Sequence, residues 1–261
     1  MMIGSSITFQ KLCHEELLRE KERDGIGLLA EKRLHSVLKR WAYDDFSAHE
    51  QKVAGRGEKK RRFVADILTP EGEIIEIQTG DLYPLLKKIA FYMEETDHPV
   101  TVIHPLVGEK YISWMQPETG EVTERRKAPL HETPLTGLSK LKPFLPYLGS
   151  PRLSFLFPFL SLDEYRLLDG SVKNPKRRSH RYELIPLSLE GVLHLQTKED
   201  YLALFPEDLP AEFTAKTFGK HTRLRGYALY DALAVFEGLG AIRRVGKEGR
   251  ATLYARNLSD F

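Results

Sequence analysis

Residues 63–79, FVADILTPEGEIIEIQT, decide how the rest of the chain is read. Two β-branched, apolar runs flank a turn at Pro70, Glu71 and Gly72, which predicts a hairpin. Val64, Ala65, Ile67 and Leu68 on one arm, and Ile74, Ile75 and Ile77 on the other, leave neither face polar, so both strands are expected to be nearly buried. Asp66, Glu76 and Gln78 stand inside these runs. Side chains alternate along a strand, which puts Glu76 and Gln78 on one face. A three-residue loop centred on Glu71 brings Asp66 opposite Glu76, whereas a two-residue loop would separate them. The three-residue loop is the expectation. Two carboxylates and an amide then share a patch where desolvation and repulsion call for a cation, and an all-oxygen site suits Mg2+ or Mn2+.

The flanks supply the setting. Residues 11–22 predict a charged surface helix. Residues 25–41 predict a second one, capped by Asp24, with Ile26, Leu29, Leu34, Val37, Leu38 and Trp41 as its apolar stripe. Glu31 lies near that stripe, and Lys32, Lys39 and Arg40 lie away from its centre. Residues 49–53 predict a strand. The basic loop GRGEKKRR at 55–62 is either a solvated connection or a flexible grip on a phosphate backbone. After Gln78, Asp81 is a candidate N-cap and Pro84 fits a first turn, with Leu82, Leu85, Leu86, Ile89 and Met93 facing inward. Residues 99–105 predict a buried strand, parallel to the one carrying Glu76 because a helix must cross over between them. His104, at the end of that strand, is expected to be a hydrogen-bonded structural residue.

Asp66, followed by Glu76-Ile77-Gln78, preceded by a helix bearing Glu31 and followed by an amphipathic helix, resembles the restriction-endonuclease-like superfamily, whose signature is D…(D/E)-x-K. The resemblance spans residues 25–105. It implies an α/β domain with a central mixed sheet flanked by helices, and cleavage of nucleic-acid phosphodiesters. It makes Asp66 and Glu76 metal ligands, Glu31 an auxiliary ligand through water, and Gln78 the occupant of the lysine position. Glutamine lacks the charge that steadies a hydroxide or a pentavalent phosphate. Lys87 and Lys88, on the following helix, are candidates to supply it.

A chain of 261 residues accommodates two or three domains, and a net charge of +2 requires any nucleic-acid footprint to be local. A single cysteine, Cys13, excludes an internal disulfide and a cysteine-based zinc finger, as in a reducing cytosol. The longest apolar run, 153–162, is short and interrupted by proline, and no segment resembles a signal peptide. A soluble protein of a bacterial or archaeal cytoplasm is expected, with no membrane partner.

Three regions are expected: the restriction-endonuclease-like domain at 1–128, a linker and α+β middle region at 129–205, and a C-terminal module at 206–261. A hairpin at 110–127, turning at PETGE, ends the first. The Pro- and Leu-rich stretch 129–151 is taken as a linker with a short helix. Strands at 153–159, 164–168, 182–189 and 191–195 form an antiparallel unit. Within it, residues 171–181 hold five Lys or Arg and no acid, making Lys176, Arg177 and Arg178 candidates to grip a backbone.

In the last region Thr214 caps a helix through His221, and a turn begins at Leu224. A second helix follows at 227–239, ended by Gly238 and Gly240, then two short strands around Lys247-Glu-Gly-Arg250. This order resembles the winged helix-turn-helix module. The resemblance puts Arg223, Arg225, Tyr227 and Tyr230 at the front of a recognition helix, and Lys247 and Arg250 on a wing touching the DNA backbone. From Glu212 onward nine Lys or Arg face five acids. The expected function is therefore a Mg2+-dependent nuclease acting on DNA. A DNA-binding regulator with an inactive nuclease-like domain is the alternative, and a protein-interaction adaptor the third reading. Cutting both strands would suit a homodimer.

Overall fold

The hairpin closes on a three-residue loop. In the computed structural model, which describes residues 4–19, 30–56, 62–168 and 179–257, Thr69 N donates to Glu73 O (2.9 Å) and Gly72 N to Thr69 O (2.9 Å). Gly72 adopts a φ of 88°, open to glycine and strained for other residues. β1 (His49–Ala54), β2 (Arg62–Leu68) and β3 (Ile74–Ile77) form an antiparallel meander, and the Ile67↔Ile75 pair sets a register in which Asp66 falls opposite Glu76. β3 is buried along its length. β2 is not: only Ala65 and Ile67 are buried, and Val64 is 41% exposed. The expectation of two buried strands fails for β2 because it lies one strand from the sheet edge, where less of the molecule covers it.

β4 (Val100–Ile103) runs parallel to β3, as the crossover requires. β5 (Leu106–Met115) continues the line of β4 and carries the short β6 (Arg126–Lys127) on its outer edge, after a turn through residues 116–121. β7 (Leu153–Leu167) then inserts into this same sheet, parallel to both β4 and β5, with the same offset of 53 residues on either side of the β4–β5 junction (Ile103↔Leu156, Leu106↔Phe159). That offset sets Pro105 against Pro158. Neither has an amide hydrogen, so the ladder is interrupted where no donor is lost. β8 (His180–Leu195) lines the far edge of β7.

Two expectations are corrected by this topology. The middle region forms two long strands in place of four short ones, with bulges absorbing the irregularities that look like breaks in the sequence. The expected boundary at residue 129 does not separate folding units, because β7 and β8 complete the sheet that the first region begins. Nor is 129–151 a linker. Thr133 and Thr136 form a capping box on α4 (Pro134–Ser139), and Leu138, Leu141 and Phe144 are fully buried.

α1 (Ser6–Arg19) and α2 (Ala30–Ala42) cover one face of the sheet, where Phe9, Leu34, Leu38 and Trp41 meet Ile67, Ile75 and Ile77. α1 starts earlier than expected, where Ser5 Oγ accepts the Thr8 amide (3.2 Å). Asp24, Ile26 and Leu29 lie outside the described residues, as do 57–61 of the basic loop. α3 (Leu86–Glu95) packs on the other face, preceded by a 3-10 turn at Tyr83–Leu85. Asp81 Oδ1 takes the Tyr83 amide (3.0 Å), so it opens that turn instead of capping the helix.

The C-terminal part follows the short α5 (Lys198–Leu202). β9 (Glu212–Thr214), α6 (Ala215–Thr222), α7 (Gly226–Gly238), β10 (Ile242–Glu248) and β11 (Ala251–Arg256) give a helix pair and a three-stranded sheet ordered β10-β11-β9. Thr214 caps α6 through the Thr217 amide, and Arg223 (φ 60°) and Gly226 (φ 57°) bend the chain between the helices. Phe205, Phe213, Phe218 and Phe236 bury here and join the core beneath the main sheet. The result is a mixed α/β protein, a large mixed sheet flanked by helices. Among the described residues no helix is long and apolar enough to cross a membrane.

Candidate functional site

The paired ladder of β2 and β3 stops at Ile67↔Ile75. Beyond it the carboxylate of Asp66 takes over a ladder role, its Oδ2 accepting the Ile77 amide (2.7 Å), while Gln78 N turns to Ile103 O on β4 (2.9 Å). The strands part here. A cleft of about 770 Å³ occupies the opening, and Asp66, Glu76, Gln78 and Lys88 line it together.

Glu76 is 1% exposed, and both its oxygens hold donors from α3: Lys88 Nζ on Oε2 (2.7 Å) and the Tyr92 hydroxyl on Oε1 (2.8 Å). Lys88 and Tyr92 are four residues apart, one above the other on the helix face toward the sheet. Burial pushes the Glu76 carboxyl up to about 7; Lys88 pulls it down and Asp66 pushes it further up. Asp66 behaves in the opposite way. Burial raises its pKa too, but the His35 hydrogen bond, the Ile77 amide and the charge of Lys88 together hold it below the usual carboxylate value. His35 Nε2 lies 3.5 Å from Asp66 Oδ2.

The Gln78 side chain turns out of the patch, its Nε2 donating to Asp81 O (2.6 Å). Its backbone carbonyl accepts from His104 Nδ1–H (2.6 Å). His104 Nε2 in turn accepts from Lys140 Nζ (3.0 Å), and burial with the adjacent ammonium lowers the His104 pKa to about 3. With both ring nitrogens engaged, His104 is a structural histidine, as its position at a strand end suggested. Lys87 is exposed on the outer side of α3. Glu31 lies in the first turn of α2, but its side chain is outside the described residues.

Sequence reasoning missed the wall contributed by α2. His35, Lys39 and Arg40 line the cleft, with His49 of β1 facing them. Lys39 pairs with Glu50, and Arg40 with Glu15 (2.9 Å) and Asp44 (2.8 Å). Their signal was the spacing of His35 and Lys39, one helical turn apart just off the apolar stripe, where a helix crossing near a sheet edge presents side chains to the opening.

Asp66 and Glu76 are the residues of this cleft that could hold a divalent cation, Glu76 only by sharing its oxygens with Lys88 and Tyr92. Asp66 Oδ1 has no protein partner among the described residues, each Glu76 oxygen keeps lone-pair capacity beside its one donor, and two carboxylates share a single ammonium. The raised Glu76 pKa comes mainly from burial, with the Asp66 charge adding to it. Among the described residues no third acid or histidine joins them in a ligand cluster, so water would complete the shell.

A second feature lies on the C-terminal part. Tyr227 is 90% and Tyr230 59% exposed, three residues apart at the start of α7, and Arg223 and Arg225 are exposed beside them. Lys247 and Arg250 are exposed at the tip of the β10–β11 hairpin, where Gly249 takes a φ of 61°. Lys176, Arg177 and Arg178 lie outside the described residues.

Residues 32–196, more than half of the chain, match the model of a family described as a domain of unknown function (DUF8091). No curated protein and no solved structure matches the chain.

Proposed function

The chain belongs to the DUF8091 family, and we propose that it is a metal-dependent nuclease of restriction-endonuclease-like fold, hydrolysing DNA phosphodiesters and positioned by a C-terminal winged helix. One observation carries the reading: Asp66 and Glu76 stand opposite each other at the parted end of the β2–β3 hairpin, and an ammonium sits on Glu76. The helix that crosses over to β4 supplies that ammonium. Lys88 thus provides the charge that Gln78 lacks. Asp66 and Glu76 would hold Mg2+ or Mn2+, which when bound lowers the pKa of water and offsets the charge of the scissile phosphate. Lys88 stabilises negative charge developing on the phosphate, and Tyr92 fixes the orientation of Glu76. His35 keeps Asp66 ionised.

The exposed Arg223, Arg225, Tyr227 and Tyr230 at the start of α7, with Lys247 and Arg250 on the hairpin, support a DNA-facing surface. Asp66→Ala is the test: loss of Mg2+-dependent cutting with DNA binding retained supports the assignment, and equal activity rejects it. A homodimer would place two such sites on opposite strands, which gel filtration with and without DNA checks.

The alternative, a DNA-binding regulator with an inactive nuclease-like domain, has its own observations. Lys88 already neutralises Glu76, and the Gln78 amide points to Asp81 O. Calorimetric titration of the chain with Mg2+ and Mn2+ separates the two readings, heat of binding favouring the nuclease and a silent titration the regulator.

A further inference from the structure

A second cleft, of about 930 Å³, opens across Thr79 and Gly80, which line both cavities. Leu34, Leu86, Val107 and Leu162 give its lining a large apolar share beside the charged Lys110, Glu164 and Arg181, and Ala228 and Asp231 of α7 line it too. Two large apolar residues stay exposed among the residues that line it, Tyr83 at 66% and Leu130 at 45%. Two lysines line it as well: Lys140, bonded to Glu132 (2.7 Å), and Lys142, bonded to Asp231 (2.6 Å). Both ion pairs are partly open to water, so each adds little to stability.

We propose that this cleft binds one unpaired nucleotide, its base against the apolar residues and Tyr83, its phosphate at Lys140 and Lys142. The combination of a largely apolar lining with partly exposed lysines matches the two halves of a nucleotide, a π-face and a phosphate. The proposal rests on the reading of the Asp66–Glu76 cleft as a phosphodiester site: a strand leaving it over Thr79 and Gly80 enters the second cleft directly. His104 connects the two. Its Nδ1–H holds the Gln78 carbonyl on one side and its Nε2 accepts from Lys140 on the other, so a phosphate that draws Lys140 away alters the partner of the ring that holds Gln78.

The test uses the full chain carrying Asp66→Ala, which binds without cutting. It is titrated with a fluorescein-labelled blunt duplex and with the same duplex bearing a short single-stranded tail. The tailed duplex is expected to bind about tenfold tighter. Leu130→Glu and Lys142→Glu, at exposed positions, each remove that preference and leave blunt-duplex affinity unchanged. Deoxyadenosine monophosphate, added to the unsubstituted chain, distinguishes the source: a rise in melting temperature that both substitutions abolish, without a tail preference, assigns the cleft to a free nucleotide. Equal affinity for the two duplexes with no effect of the monophosphate overturns the proposal, as does any effect that survives both substitutions. If Mg2+-dependent cutting of blunt duplex persists beside those negatives, the carboxylate site stands and only the second cleft falls. Nucleotide binding by a chain that cuts nothing does the reverse.

Discussion

Two glutamates are buried in the same sheet and meet opposite electrostatic fates. Glu164, on β7, has a fully buried side chain, and burial alone would raise its pKa; Lys110 (2.7 Å) and Arg166 (2.6 Å), one on each oxygen, reverse this and hold it below the ordinary value. Glu76, on β3, has one ammonium, a neutral phenol and a second carboxylate nearby, and burial wins. A buried carboxylate with two cations is a finished structural unit. One left short of positive charge can take a further cation, and that difference is why Glu76, and not Glu164, carries the proposed role.

The comparison breaks most visibly in activity. If Glu76 is functional and Glu164 structural, Glu76→Gln lowers Mg2+-dependent cutting on the order of a thousandfold. Glu164→Gln leaves the cutting rate of the folded chain unchanged, and steady-state cleavage of a labelled duplex measures both. Glu164→Gln instead leaves Lys110 and Arg166 without their anion and costs about 3 kcal/mol of stability, read from urea unfolding.

The next effect is in pH. Glu76 is protonated more readily in the folded than in the unfolded chain, so its contribution to stability is fully present below its ordinary value of 4.5 and is lost as pH rises through about 7. Wild type is therefore expected to lose about 3 kcal/mol across that window relative to Glu76→Gln. Glu164 has the opposite sign: its contribution is present above the ordinary 4.5 and is lost as pH falls through its depressed pKa. Unfolding curves of the two variants against wild type at several pH values should diverge at opposite ends of the scale, and parallel curves would erase the distinction. The smallest effect belongs to a pair on the surface of the same sheet. Lys127→Ala separates an exposed ion pair with Glu109 and should leave the melting temperature unchanged.

Much of the frame around Glu76 was legible because local chemistry specifies it. Pro70, Glu71 and Gly72 determine a loop length, the loop sets the register, and the register brings Asp66 to Glu76. The parallel pairing of β3 and β4 follows from the crossover, and Thr214 declares the start of α6. What stayed hidden depends on distant partners. Pro158 divides an apolar run into two apparent strands, and only the facing Pro105, 53 residues away, shows why the strand continues through it. Leu138, Leu141 and Phe144 look like linker residues until β7 comes to lie beneath the segment that carries them. Lys88 has the spacing of any surface lysine, and its role appears only when α3 is laid on the sheet with Tyr92 one turn away.

The facing prolines give the sheet a crease. On one side lies a panel of β1 to β4 with the start of β7; on the other, β5 and β6 with its end. At that level the seam with β8 pairs Pro158 with Val192 and Phe159 with Gly191, just before a bulge. The continuous β7 and its pairing with β8 join the panels across this line. His104 and Pro105 lie on it, at the lip where the two clefts adjoin, so a guest touching both panels would stiffen the whole sheet.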